Sequence, residues 1–77
     1  MRYTVSITWD DEACVWYVSG TDVPGLVTEA PSYEAMLAKL EVMVPEMLEE
    51  NGIANSMDVP FELLAQRHAV AHRTRCQ

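Results

Sequence analysis

The sequence predicts an α+β domain: a three-stranded antiparallel sheet, one long helix packed on one face, then a further strand, in the order β-β-β-α-β. Two patterns predict it. Residues 33–51 (YEAMLAKLEVMVPEMLEEN) place apolar side chains at Tyr33, Met36, Leu37, Leu40, Val44, Met47 and Leu48, the three-and-four spacing of one helical face. Around that stretch lie short alternating or β-branched segments of strand type.

The first strand is expected over residues 2–9. Tyr3, Val5, Ile7 and Trp9 point one way, and Thr4, Ser6 and Thr8 the other. Asp10-Asp11-Glu12 makes a polar turn, and ACVWYVS over residues 13–19 makes a second strand and an antiparallel hairpin. Gly20-Thr21-Asp22 is expected as loop. In Asp22-Val23-Pro24-Gly25, Pro24 presets φ at the first corner of a turn and Gly25 permits a positive φ at the second. Leu26-Val27-Thr28 is then a short third strand.

Ser32 can cap the helix, because its hydroxyl accepts a free first-turn N–H. Glu34 suits the positive end of the helix dipole, and Gly52 suits a left-handed closure. Pro45 removes one ladder bond, at a cost of about 3 kcal/mol in a helix interior. It shares the polar row with Glu41, whose freed carbonyl water can satisfy, so a kink is expected and not a break. Residues 53–57 are expected as a polar loop. A last strand is expected from residue 58 to about 67, with helix an open alternative over residues 62–71 on propensity. Residues 1–71 form a single domain in this reading, and 72–77 a tail.

Seventy-seven residues allow one small core. The 49% hydrophobic content excludes a disordered chain, and no apolar run approaches the roughly 20 residues of a membrane span. Met1-Arg2-Tyr3 leads straight into strand pattern, so a cytoplasmic location is expected. Cys14 and Cys76 are too scattered for a disulfide framework or zinc site; Cys14 reads as a small core or sheet residue. Net charge is −7, and it is uneven: residues 1–62 carry Arg2 and Lys39 against all twelve acids, while residues 63–77 carry Arg67, Arg73 and Arg75 and no acid. An acidic body favours basic partners and disfavours nucleic acid.

No spacing forces carboxylates to converge as a two-metal nuclease needs. His68 and His72 lack a third ligand nearby in sequence, so no metal or cofactor is expected. Trp9 is expected in the core, and Met36, Met43 and Met47 at helical spacing read as core. Trp16 suits either core or an interface anchor. Strand two is apolar on both faces and one helix covers only one, so a second interface, a homodimer or a protein partner, is expected.

Residues 8–52 resemble a small bacterial domain family that is itself similar to the HicB antitoxins. The resemblance rests on Trp9-Asp10 with Val15-Trp16, on Asp22-Val23-Pro24-Gly25-Leu26, on Glu29-Ala30, and on Pro45 before Leu48 and Asn51-Gly52. It implies a truncated ribonuclease H fold and a non-catalytic role: binding and neutralising HicA, a small basic toxin that cleaves messenger RNA. Glu29-Ala30-Pro31-Ser32 stand where HicB often has a Gly-x-Thr motif. The chain ends soon after its last strand, where HicB usually continues into a DNA-binding segment, so operator binding is not carried over. The partner surface expected is Trp16 with Glu41, Glu46, Glu49 and Glu50; Asp22, Pro24, Gly25, Pro45 and Gly52 are structural. The alternatives from other classes are a stand-alone self-associating domain and a metal-dependent nuclease.

Overall fold

The computed structural model describes residues 2–53 and 58–71. The order is β1 (Tyr3–Asp10), β2 (Val15–Thr21), β3 (Glu29–Ala30), α1 (Tyr33–Glu50) and β4 (Phe61–Gln66). The strands form one sheet in the order β3-β2-β1-β4. β1 pairs antiparallel with β2, and β2 with β3, while β4 lies parallel to β1. The α+β class and the β-β-β-α-β order are those the sequence predicts.

Alternation fixes which side of the sheet the helix covers. Val5 and Ile7 are fully buried. Ile7 stands opposite Val18 on β2, and Val5 opposite Leu63 on β4. From the helix, Met36, Leu40, Val44 and Leu48 bury completely or nearly so, a stripe with a four-residue repeat. Val23, Leu26 and Ala30 complete the buried cluster, and Trp16, Val18, Met43, Met47, Phe61 and Leu63 pack around it half-buried. The opposite side of the sheet carries Thr4, Ser6, Thr8, Tyr17, Glu62, Leu64 and Gln66, and no described element covers it.

Both helix ends are closed by side chains and turns. The Ser32 hydroxyl accepts from the Ala35 N–H at 3.0 Å. At the other end Gly52 has φ +76°. Its N–H donates to the Glu49 carbonyl at 3.1 Å, and the Ile53 N–H donates to the Leu48 carbonyl at 2.9 Å. This pair of bonds is the Schellman closure, which satisfies carbonyls the helix would otherwise strand. The helix runs unbroken through Pro45. Glu41, whose carbonyl loses its usual donor there, is exposed to water.

The structure corrects several boundaries. The third strand is not Leu26-Val27-Thr28 but Glu29–Ala30. Leu26 is buried in the core, while Val27 is 81% exposed. The chain uses these residues to leave the turn, and Thr28 first meets β2 when its carbonyl accepts from Val18 N–H. The second strand begins two residues later than expected and runs on through Gly20 and Thr21. Cys14 is therefore no core or sheet residue. It is exposed in the hairpin loop with φ +58°, and its N–H closes the turn on the Asp10 carbonyl at 2.7 Å. Tyr33 begins the helix but remains 37% exposed. The last strand is shorter than residues 58–67, and the helix alternative over 62–71 fails, since residues 67–71 are neither helix nor strand. The expected tail at 72–77 and most of the expected loop at 53–57 lie outside the described residues.

Replacing Leu40 by Ala removes a fully buried side chain from the middle of the stripe. The expected loss is about 2–5 kcal/mol in urea unfolding, with an unchanged slope. Ser32→Ala is expected to cost about 1 kcal/mol by the same measurement.

Candidate functional site

Three surfaces bring chemistry-bearing side chains together. The first is the outer face of α1. Glu34, Glu41, Glu46, Glu49 and Glu50 are all exposed there, as the helical period places them. Val42 lies among them, 59% exposed. The one base of the helix, Lys39, donates from Nζ to the Glu29 carbonyl at 2.7 Å and so ties the helix to β3. The face thus offers strong negative charge around a small apolar centre. Of the residues the sequence assigned to a partner, Glu41, Glu46, Glu49 and Glu50 are on this helix.

The fifth of those residues, Trp16, lies elsewhere. It stands on the helix-covered side of β2, opposite Ala30 on one neighbour and Trp9 on the other. It packs half-buried against the core. Trp9 meets it edge to face, with ring centroids 5.5 Å apart and planes at 64°. The expectation of a core Trp9 needs correction: the ring is half-buried at the rim, outside the buried cluster. Its indole N–H donates to Asp11 Oδ1 at 2.6 Å, and the Arg67 guanidinium sits 4.5 Å from its centroid. The row Ala30, Trp16, Trp9, Arg67 therefore crosses the whole sheet. Beside it are surface depressions of about 530 Å³, one lined by Thr8, Gln66, Arg67 and His68 and another by Asp11, Arg67, His68, Ala69 and Val70.

The role of Arg67 was not legible from the sequence. The parallel register sets Gln66 beside Thr8, and the next residues along each strand are Arg67 and Trp9. Only knowledge that β4 pairs with β1, and at which offset, would have found this contact.

The third surface is the turn. Val23, Pro24, Gly25 and Leu26 form it, with the Leu26 N–H donating to the Val23 carbonyl at 3.3 Å and Gly25 at φ +74°. Asp22 is not a corner of this turn. It lies beside Thr4, whose N–H donates to Asp22 Oδ1 at 2.9 Å. Asn51 Nδ2 donates to the Pro24 carbonyl at 3.2 Å and to the Met47 carbonyl at 2.8 Å, so the helix cap clasps the turn. These residues hold structure together and leave little side-chain polarity free for a ligand. Among the described residues, no three His, Cys, Asp or Glu side chains gather as a metal ion needs, and no helix is long and apolar enough to cross a membrane. His72 lies outside the described residues.

Among the described residues, a single helix on one face of a four-stranded mixed sheet, with the other face uncovered, defines a small α+β domain. The chain belongs to the family described as a domain of unknown function, DUF1902, whose profile matches residues 2–74. Among solved structures it is similar to hypothetical protein TTHA1013 from the extremely thermophilic bacterium Thermus thermophilus. The two are 51% identical with a TM-score of 0.77, over 92% of this chain and 100% of that one. No curated protein matches the chain.

Gly25→Ala tests the clasp. A Cβ there would lie 3.0 Å from Met47 Cε, on a backbone with φ +74°. The expected cost is about 1–2 kcal/mol in urea unfolding, more than the few tenths usual for a surface substitution. Arg67→Ala is expected to change the tryptophan emission by uncovering one face of Trp9, with a stability loss of about 0.5–1 kcal/mol.

Proposed function

We propose that this chain is a HicB-like, non-catalytic protein-interaction domain whose partner is a small basic protein of the HicA toxin type. The observation that carries the reading is the outer face of α1. Its glutamates are exposed together around Val42, and Lys39 is turned away to the Glu29 carbonyl. A basic partner gains from such a face twice. Opposite potentials speed the encounter, and the small apolar centre gives contact area once the charges have met. The imbalance of residues 1–62, two bases against twelve acids, extends the same field over the body of the domain. The resemblance of residues 8–52 to a small bacterial family that is itself similar to the HicB antitoxins supports the choice of partner, and the fold has the element order that resemblance implies. In this reading the domain works by covering the toxin, so it needs no reactive group of its own.

Co-expression with a HicA-type toxin provides the test. The chain is expected to restore growth and to bind the purified toxin with an affinity that falls as salt is raised. The variant E41Q/E46Q/E49Q/E50Q is expected to keep its circular dichroism and to bind about tenfold more weakly or worse. Tight binding that ignores both the four substitutions and the salt would remove the helix face from the reading. No binding to the toxin at low salt would remove the reading itself.

A further inference from the structure

The sheet ends in two unlike edges. β3 is two residues long, so that edge is blunt. β4 is six residues long, carries no proline, bulge or lysine, and is the terminal strand on its side. Such an edge invites another strand unless something protects it. Among the described residues, nothing pairs with it.

The direction of the free groups follows from one bond. The Tyr3 N–H donates to the Pro60 carbonyl at 3.4 Å, while Tyr3 stands opposite Phe61. Backbone groups of the even-numbered residues of β4 therefore turn toward β1. Those of Phe61, Leu63 and Ala65 turn outward, because the pointing alternates along a strand.

The core is also least closed on this side. Phe61 and Leu63 face the helix side yet are only half-buried, and Ala65 is exposed. On the open side Leu64 is 45% exposed. Charge runs along the strip in one direction. Asp58 and Glu62 lie at its start, and Arg67 follows its end. A second strip laid parallel would set like charges together. Laid antiparallel, the acidic start of each strip lies near the basic end of the other, although no acid stands directly opposite a base.

We propose that two copies of this chain join through their β4 edges, antiparallel, about a two-fold axis at Leu64, merging two four-stranded sheets into one continuous sheet. In this register Leu64 meets its own copy on the open face, and Glu62 stands opposite Gln66. Leu63 and Ala65 exchange backbone bonds, and Phe61 comes under Arg67. A two-fold contact of this kind is self-complementary and closes at two copies. It uses a different surface from the glutamate face of α1, so it stands or falls separately from toxin binding.

Sedimentation velocity of the full chain at tens of micromolar is expected to show a dimer. Ala65→Pro removes an outward N–H and leaves the bonds to β1 in place, so it should keep the circular dichroism and weaken dimerisation about tenfold or more. In a Cys14→Ser, Cys76→Ser background, Leu64→Cys is expected to form an intermolecular disulfide on mild oxidation, and Glu62→Cys is not. Opposed non-hydrogen-bonded positions lie close enough for such a bond. A folded wild-type monomer throughout that range would overturn the proposal and leave the edge to a different chain. A dimer unaffected by Ala65→Pro, or one cross-linked through Glu62→Cys and not Leu64→Cys, would overturn it as well.

Discussion

Everything in this domain depends on the contact between the stripe Met36, Leu40, Val44 and Leu48 and the pair Val5 and Ile7. Burying a side chain of this size contributes roughly 1.5–3 kcal/mol. A chain of 77 residues holds few such side chains. The other features serve to keep this contact aligned. Ser32 sets where the helix starts, the Schellman bonds set where it stops, and Asn51 and Lys39 anchor the helix to the turn and to β3. Because the stripe is committed to the sheet, the positions held by the glutamates are left facing water.

The helix was legible because its evidence is local. A cap, a stripe and a terminal glycine all lie within about twenty residues, and each has its own chemistry. The first strand was legible for the same reason, through the alternation from Tyr3 to Trp9. The third strand was misplaced because Leu26 and Val27 look like strand residues, yet one is drawn into the core by the turn and the other is expelled. Burial of a loop residue and membership of a strand leave the same mark on the sequence. Cys14 was misread in a similar way, since nothing in its neighbours announces a left-handed backbone.

The candidate surfaces divide along the same line. The glutamate positions followed from helical period alone. The platform of Trp9, Trp16 and Arg67 did not, because it joins residues from three places whose register only the folded sheet defines. Trp9 illustrates the difficulty. The period-two pattern gives the correct side of the sheet but says nothing of where the helix stops covering that side. The ring therefore ends at the rim, where a carboxylate, an indole and a guanidinium each take one aspect of it.

The parallel placement of β4 has a consequence for how the molecule assembles. The hairpin of β1 and β2 joins neighbours in the chain, and the helix carries its own hydrogen bonds. β4 must find a strand more than fifty residues behind it, as Tyr3 beside Phe61 shows. Closing so large a loop is entropically expensive before any contact is gained. The final strand is therefore expected to dock after the hairpin and the helix have formed. Its place beside β1 makes the sheet a single unit built from segments far apart in the chain.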